Sequence, residues 1–215
     1  MVDLISGYSN KKKSKHIKKL VLFLHGYGAD GSDLINISNI WEEFLPEVAF
    51  YSPNAPFKCE INPYGYQWFS LNERTENEIK SGLEITEPYV KKYVEHILNE
   101  NNLELKDLLI VGFSQGTMLA LNHFTKQEFP CAGIIGYSGL FHYSEKDIRA
   151  HDFPIQLYHG ELDDVVNHSY SIKAYQDLKS LGYNVDYSLA KNLGHSIDEN
   201  GLKIGIEFIK KVFKV

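Results

Sequence analysis

Short runs of apolar residues alternate along the chain with longer segments of mixed apolar and polar residues, from about residue 20 to the C-terminus. The apolar runs predict strands at residues 20–24, 48–51, 107–113, 132–137, 155–159 and 185–189. The mixed segments predict helices between them, at about 34–44, 75–102 with an interruption near Pro88, 115–126, 170–181 and 196–215. Uninterrupted apolar strands are typical of a parallel sheet covered by helices on both faces. The pattern therefore predicts an α/β fold of three layers with a mostly parallel central sheet.

The N-terminal segment differs from this pattern. Residues 4–8 predict a weak first strand, and six lysines lie between residues 11 and 19. A short run of charges is most often a solvated connection, and we interpret this one as the link between the first two strands. The alternative is attraction to an anionic lipid surface.

Composition and charge narrow the class of protein. With 215 residues, of which 43% are hydrophobic, the chain is expected to fold as one domain over residues 1–215. A net charge of −6 argues against nucleic acid as a partner. The sequence has no apolar run of the length of a signal peptide or membrane span, which predicts a cytoplasmic protein without stable membrane insertion. Cys59 and Cys131 match no disulfide or metal-binding spacing and predict two buried free thiols.

The pentapeptide Gly112-Phe113-Ser114-Gln115-Gly116 lies between a predicted strand and a predicted helix. Glycine on both sides permits the sharp turn that exposes a serine hydroxyl above a sheet edge. The amide of Gln115 would start the helix, where free N–H groups favour negative charge. These features predict Ser114 as a nucleophile and Gln115 as half of an oxyanion hole. The alternative is a tight turn that happens to contain serine.

An acid and a base follow the pentapeptide in the order Ser, Asp, His that is expected of this fold. Asp163 stands just beyond the strand at 155–159, and His195 lies in the turn after the strand at 185–189. Asp164 is a competing acid that the sequence cannot exclude. Other histidines were assigned to solvated segments, solvated faces or a loop: His16, His96, His123, His151 and His142.

Residues 26–31 match the glycine pattern G-x-G-x-x-G of dinucleotide-binding domains. Such a domain also needs an acidic residue about 20 positions later to hold the ribose. The corresponding segment reads Tyr51-Ser52-Pro53-Asn54, which disfavours a nucleotide site. In α/β-hydrolases the same loop supplies the second oxyanion amide, and His25-Gly26-Tyr27-Gly28 resembles that element, with Tyr27 as the donor.

From about Leu20 to its C-terminus, the chain resembles the phospholipase/carboxylesterase family, which includes bacterial carboxylesterases and acyl-protein thioesterases. Four motifs carry the resemblance, namely residues 24–31, 112–116, 159–166 and 194–195. The resemblance implies an α/β-hydrolase fold, a triad of Ser114, Asp163 and His195, and oxyanion amides at Tyr27 and Gln115. It also implies an acyl ester or lipid-like substrate and a possible homodimer.

Two departures from the family pattern bear on substrate preference. The family commonly has aspartate after Trp-Phe or Trp-Tyr, where this chain has Trp68-Phe69-Ser70, and Asn167 stands where proline is frequent. The surrounding stretch, residues 54–74, is rich in aromatic residues and is expected to face the substrate, with Trp68, Phe69 and, after Ser138-Gly139, Leu140 lining the site. The alternative is that these rings pack the loop onto the core.

Together these features predict a serine carboxylesterase that hydrolyses small carboxylic esters through an acyl-enzyme. Lysophospholipase and acyl-protein thioesterase are alternatives with the same mechanism, and a catalytically inactive binding domain is a remote one. No cofactor or metal is expected, because the sequence contains no metalloprotease, C-x-x-C or P-loop pattern.

Overall fold

The computed structural model of the chain describes residues 7–10, 16–127, 130–144 and 153–215. Within these residues the strands are β1 (Gly7–Asn10), β2 (Lys19–Leu24), β3 (Val48–Pro53), β4 (Phe57–Lys58), β5 (Tyr66–Gln67), β6 (Leu108–Phe113), β7 (Gly133–Tyr137), β8 (Pro154–Gly160) and β9 (Asn184–Ala190). The α-helices are α1 (Gly31–Ile35), α2 (Ser38–Trp41), α3 (Glu76–Asn101), α4 (Gln115–Phe124), α5 (Ser169–Ser180) and α6 (Glu199–Phe213).

Seven of these strands form one sheet in the order β1-β3-β2-β6-β7-β8-β9. Only β1 runs antiparallel to its neighbour, and every other pair in this sheet is parallel. The predicted, mostly parallel sheet is therefore confirmed. Because parallel strands end at the same edge, the loops after β2, β6, β8 and β9 all leave the sheet on one side, where ligands bind in open α/β sheets.

Alternation along the strands builds a core on each face of the sheet. In β2, Leu20 and Leu22 belong to the cluster shared with α3, α4 and α5, whereas Val21 and Phe23 belong to the cluster shared with α1, α2 and α6. The strands are thus buried on both faces, which explains their continuous apolar sequence. The predicted three-layer arrangement is confirmed.

The predicted interruption at Pro88 is wrong. Helix α3 runs without a break for 26 residues, with Pro88 inside it. Proline removes the amide that would bond the carbonyl four residues earlier, but both Pro88 and Glu84 are exposed, so water can satisfy that carbonyl. On the opposite face, Leu83 and Val90 are buried and hold the flanking turns against the core.

Two predicted segments differ in detail from the structure. The helical pattern at 34–44 forms two short helices, α1 and α2, in which Leu34 and Trp41 are buried while Ile40 and Phe44 are half exposed. The irregular stretch at 54–74 contains a small hairpin, β4–β5, with Phe57 paired to Gln67. Strands of two residues are too short to leave a periodic signal in the sequence.

Several predictions concern the N-terminal segment. The described part of the first strand is Gly7–Asn10, which overlaps the predicted strand at residues 7 and 8. Residues 4–6 lie outside the described residues, and so do Lys11, Lys12, Lys13, Lys15 and His151. Within the lysine run, Lys18 pairs with Glu47 and Lys19 with Asp107.

In the described part of the chain, no helix combines the length and hydropathy needed to cross a membrane.

The solvated position predicted for His123 is also wrong. Every residue of α4 is buried, because the helix lies between the sheet and α3, and His123 is only 2% exposed. The exposed positions predicted for His16 and His96 are confirmed, and so is the loop position of His142. Cys59 and Cys131 are buried free thiols, as predicted.

Candidate active site

Ser114 occupies a sharp turn between β6 and α4. Its backbone has φ 53° and ψ −114°, outside the conformations that a residue with a side chain adopts freely. Three hydrogen bonds hold this backbone: the amide donates to Tyr137 O at 2.9 Å, and the carbonyl accepts from the amides of Thr117 at 3.0 Å and Met118 at 3.3 Å. A non-glycine residue kept in a strained conformation by its surroundings is typical of a functional site. The predicted nucleophile position has this geometry.

The two glycines of the pentapeptide allow a close approach. A Cβ added to Gly116 would lie 1.8 Å from the carbonyl oxygen of Leu24, at the end of β2. One added to Gly112 would lie 2.5 Å from the backbone nitrogen of Thr117. Only glycine fits at either position without moving backbone atoms, so the predicted steric reason for both residues is confirmed.

Asp163 and His195 are brought together by the loops after β8 and β9. The Nδ1 atom of His195 donates to Asp163 Oδ2 at 2.7 Å. The other carboxylate oxygen, Oδ1, accepts the amides of Val165 at 2.9 Å and Val166 at 2.8 Å. Asp164, the competing acid in the sequence, is exposed to solvent. The carboxylate that contacts the predicted base is therefore Asp163.

The hydrogen bonds around Asp163 decide its charge. Burial alone would raise the pKa of this carboxyl, which is only 5% exposed. The bonds from His195 and from the Val165 and Val166 amides outweigh burial, and the pKa lies below its ordinary value. Asp163 is thus ionised at neutral pH and can orient and stabilise a protonated imidazole.

Packing places His195 at the serine turn. Its ring lies against Phe113, the residue before Ser114, with the ring centroids 4.9 Å apart. The loops that carry Asp163 and His195 are joined by a hydrogen bond from the Leu162 amide to Leu193 O at 2.9 Å. Asp163, His195 and the residue that precedes Ser114 thus lie together at the carboxyl edge of the sheet.

The glycine loop after β2 approaches the same turn. A Cβ added to Gly26 would lie 3.4 Å from the Cβ of Ser114. The loop pairs with the hairpin, since the Gly28 amide donates to Tyr66 O at 2.9 Å and the Tyr66 amide donates to Ala29 O at 2.8 Å. Among the backbone hydrogen bonds between loops of the described residues, none is donated by the amide of Tyr27 or of Gln115. These amides remain the predicted oxyanion donors.

His25 has a structural role in this loop that the sequence did not indicate. Its Nε2 accepts the Ala55 amide at 2.9 Å, so the proton must be on Nδ1, which donates to Gly26 O at 2.8 Å. Burial lowers the pKa of His25 to about 4, against the opposing effects of the Gly26 carbonyl and Asp30. The neutral ring fixes the loop that leads to Tyr27.

The side chain of Gln115 holds the aromatic-rich stretch in place, a second role that the sequence did not predict. Its Oε1 accepts the Trp68 amide and its Nε2 donates to Phe69 O, both at 2.9 Å. The indole of Trp68 donates to His25 O, also at 2.9 Å. The sequence does place Gln115 at the start of a helix, next to the predicted nucleophile. The residues that its side chain binds, however, are 46 and 47 positions away in the chain.

The residues predicted to face the substrate lie in different environments. Trp68 and Phe69 are 1% and 3% exposed, and Phe69 packs on Gly82 of α3. These contacts favour the alternative in which the rings pack the loop onto the core. Leu140 is partly buried and follows Gly139, where an added Cβ would lie 3.0 Å from Ser114 O. Ser70, which replaces the family aspartate, donates to Glu78 Oε1 at 2.9 Å.

No group of three or more histidine, cysteine, aspartate or glutamate side chains in the described ranges is placed to hold a metal ion. The polar groups that meet at the sheet edge are instead a hydroxyl, an imidazole, a carboxylate and backbone amides.

Residues 9–213 match the family model described as Phospholipase/Carboxylesterase. Among solved structures, esterase PE8 is 36% identical with a TM-score of 0.92, covering 98% of this chain and 100% of that one. Acyl-protein thioesterase 1 homolog 1 of Dictyostelium discoideum is 26% identical over 97% of this chain and 96% of its own length. Esterase YpfH of Escherichia coli K12 is 24% identical over 91% of this chain and 84% of its own length.

The family model covers nearly the whole chain. Esterase PE8 is similar to this chain in both structure and sequence. The chain is therefore a hydrolase with an α/β-hydrolase fold, and it belongs to the phospholipase/carboxylesterase family.

Proposed function

We propose that the protein is a serine carboxylesterase that hydrolyses small carboxylic esters, with Ser114 as nucleophile, His195 as general base and Asp163 as the acid that orients it. The observation that carries this proposal is the 2.7 Å hydrogen bond between His195 Nδ1 and Asp163, with the imidazole packed against the residue that precedes Ser114. Because Nδ1 of His195 donates to the carboxylate, Nε2 is the ring nitrogen that faces away from Asp163 and can accept a proton.

In the acylation step, His195 Nε2 removes the proton of the Ser114 hydroxyl as the oxygen attacks the ester carbonyl. The ionised Asp163 stabilises the imidazolium that forms, and the two amides at Tyr27 and Gln115 donate to the oxyanion. Collapse of the tetrahedral intermediate breaks the bond to the leaving alcohol, which takes the proton back from His195. The acyl group remains on Ser114.

In the deacylation step, water replaces the alcohol. His195 takes a proton from the water, and the resulting hydroxide attacks the acyl-enzyme carbonyl. The same two amides stabilise the second oxyanion, and the proton returns to Ser114 as the carboxylic acid leaves. The chain's own residues supply every proton transfer in this scheme, so it requires no cofactor.

Acyl-protein thioesterase is the second candidate activity, since several curated relatives carry that name. A thioester differs from an ester only in its leaving atom, so the same serine, imidazole and amides serve both reactions. The proposal of an ester rather than a thioester as substrate is supported by esterase PE8, which shares 36% identity with this chain.

Substrate preference is tested by measuring kcat/KM for p-nitrophenyl esters from acetate to palmitate, beside a palmitoyl thioester and a lysophospholipid. A small carboxylesterase is expected to show its highest kcat/KM on acetate to butyrate. A higher value on the palmitoyl thioester would replace the ester proposal by the thioesterase one. Absence of turnover of all three classes would contradict both.

A further inference from the structure

A second imidazole lies on the other side of Asp163 from His195. His159, the next-to-last residue of β8, is completely buried. Its Nε2 lies 2.8 Å from Val166 O and 3.0 Å from Asp163 Oδ2, the same oxygen that accepts from His195. Asp163 Oδ2 therefore lies between two imidazole N–H groups.

The protonation state of His159 follows from its partners. The carbonyl of Val166 can only accept, so Nε2 carries a proton. Burial lowers the pKa of His159, against the opposing effects of the Val166 carbonyl and Asp163, so the ring is neutral at pH 7 and Nδ1 is an acceptor. The hydroxyl of Ser171 lies 2.6 Å from Nδ1 and 2.9 Å from Gly139 O, and its one proton is shared between these two acceptors.

The surroundings of Asp163 contain few other titratable groups. Its own loop carries Glu161 and Asp164, which are both exposed. His168 precedes helix α5, and His195 lies in the loop after β9. The two titratable groups that contact the Asp163 carboxylate directly are His159, at the end of β8, and His195.

We propose that His159 is a positioning residue of the hydrolase, which holds Asp163 Oδ2 and the Asp163–Val166 turn in the geometry that His195 requires. This inference rests on the proposed function, because it assigns His195 as the base. His159 touches neither the nucleophile nor a reacting atom, so its effect reaches the reaction only through Asp163.

One neutral donor serves two purposes here. The N–H of His159 donates to the Val166 carbonyl and its nitrogen lies 3.0 Å from Oδ2, while the amides of Val165 and Val166 bind Oδ1, so both ends of the turn and both oxygens have a partner. The same N–H withdraws part of the negative charge of Oδ2 from His195. Without it, the carboxylate would stabilise the protonated His195 more strongly and would be less well placed.

The test compares two substitutions at this position. His159→Gln keeps an amide N–H near the place of Nε2, whereas His159→Phe keeps the ring volume and removes the donor. In His159→Phe we expect kcat to fall by roughly tenfold to a hundredfold with little change in KM, by analogy with the loss seen when the hydrogen-bond partner of a metal-bound imidazole is removed. The acidic limb of the kcat/KM profile should move to higher pH, and His159→Gln should return both toward wild type.

His123→Phe is the matched control, because it removes another buried histidine that contacts no group of the site. It should leave the pH profile unchanged. The proposal is overturned if His159→Phe keeps the wild-type profile, or if both His159 variants lose the same activity without a shift of the acidic limb, as a purely structural role predicts.

A measurement without substrate separates this proposal from the proposed function. The downfield ¹H resonance of the His195 Nδ1–H bonded to Asp163 should shift in His159→Phe and return in His159→Gln. An unchanged resonance in His159→Phe would overturn the positioning role, even if the wild-type protein hydrolyses none of the esters. Absence of ester hydrolysis would overturn only the proposed function.

Discussion

Both ends of helix α4 are buried, but they differ in whether their polar groups are hydrogen-bonded. At the start, the backbone of Ser114 and the side chain of Gln115 are hydrogen-bonded to other elements of the fold. At the end, both ring nitrogens of His123 are buried, and neither has a hydrogen-bond partner among the residues that the structure describes. That ring lines a cavity of about 200 Å³ between α3 and α4, together with Val90, Val94, Leu98 and Phe124.

This comparison distinguishes polar groups whose positions the proposed reaction requires from a buried polar group that only the fold has to accommodate. An unpaired buried polar group costs about 1–3 kcal/mol, which a hydrogen bond would recover. Within α4, the groups at Ser114 and Gln115 are hydrogen-bonded where a displacement of atoms would affect the proposed reaction, whereas His123 lies where only burial is needed. Substitutions at the start of α4 should therefore affect turnover or folding strongly, and those at its end should affect only stability.

The largest effect is expected from Ser114→Ala. Removal of the nucleophile should lower kcat by a factor on the order of 10⁶ and leave the fold unchanged. Steady-state hydrolysis of p-nitrophenyl acetate, with circular dichroism as the folding control, measures this loss. Hydrolysis near the wild-type rate would contradict the assignment of Ser114.

Asp163→Asn should have the next largest effect. The amide can occupy the same volume but cannot stabilise a protonated His195, and kcat is expected to fall by about 10⁴. Asp164→Asn is the matched control at the adjacent, exposed carboxylate, and its kcat should be close to that of wild type. Equal losses in the two variants would show that the hydrogen bond to His195 does not decide the role of the acid.

Gly116→Ala should disrupt the start of α4 by steric conflict. The added methyl would lie 1.8 Å from Leu24 O, a backbone atom, so the free energy of unfolding is expected to fall by at least about 3 kcal/mol. Gly194→Ala is the control, since its Cβ would come no closer than 4.0 Å to Leu162 O. Urea unfolding measures both, and equal stabilities would contradict the close approach of the two elements.

The end of α4 should make the protein sensitive to acid. Burial lowers the pKa of His123 to about 3 from its ordinary value of 6.5, with a smaller contribution from Lys126. Between these values the unfolded chain binds a proton that the folded chain does not, so stability falls as pH decreases from 6.5. From pH 7 to pH 5 this residue should remove about 2 kcal/mol. His123→Leu should flatten the pH dependence of urea unfolding by that amount, and an unchanged slope would contradict the burial of a neutral ring.

The smallest effect is the gain in stability from His123→Leu at pH 8, where protonation is absent from both states. Replacing an unpartnered polar ring by an apolar side chain beside an apolar cavity should raise the free energy of unfolding by about 1 kcal/mol. The kcat for p-nitrophenyl acetate should stay at the wild-type value. A loss of stability would show that the imidazole makes a contact that contributes to the fold.

The sequence was most informative where a residue's local pattern determines its environment. The apolar runs predicted the parallel sheet, and glycine on either side of Ser114 predicted a turn that only glycine could flank. Asp163 could not be separated from Asp164 by position alone, because their environments depend on the amides of Val165 and Val166 and on a histidine 32 residues away.

The wrong predictions concern residues whose environment depends on contacts with distant parts of the chain, which the local sequence pattern does not encode. Pro88 is tolerated because the flanking turns of α3 pack on the core. A solvated position is predicted for His123, whereas its helix is enclosed by α3 and the sheet. Gln115 binds Trp68 and Phe69, which are 47 and 46 residues away in the chain, and local pattern does not identify such partners.

The central claim, that Ser114 is the activated nucleophile of this site, is tested most directly by covalent labelling. The wild-type protein is treated with a fluorophosphonate, digested, and the modified peptide is located by mass spectrometry. We predict one adduct, on Ser114, which is absent in Ser114→Ala and forms much more slowly in Asp163→Asn. An adduct on a different residue, or equal labelling of Ser114→Ala, would contradict the account.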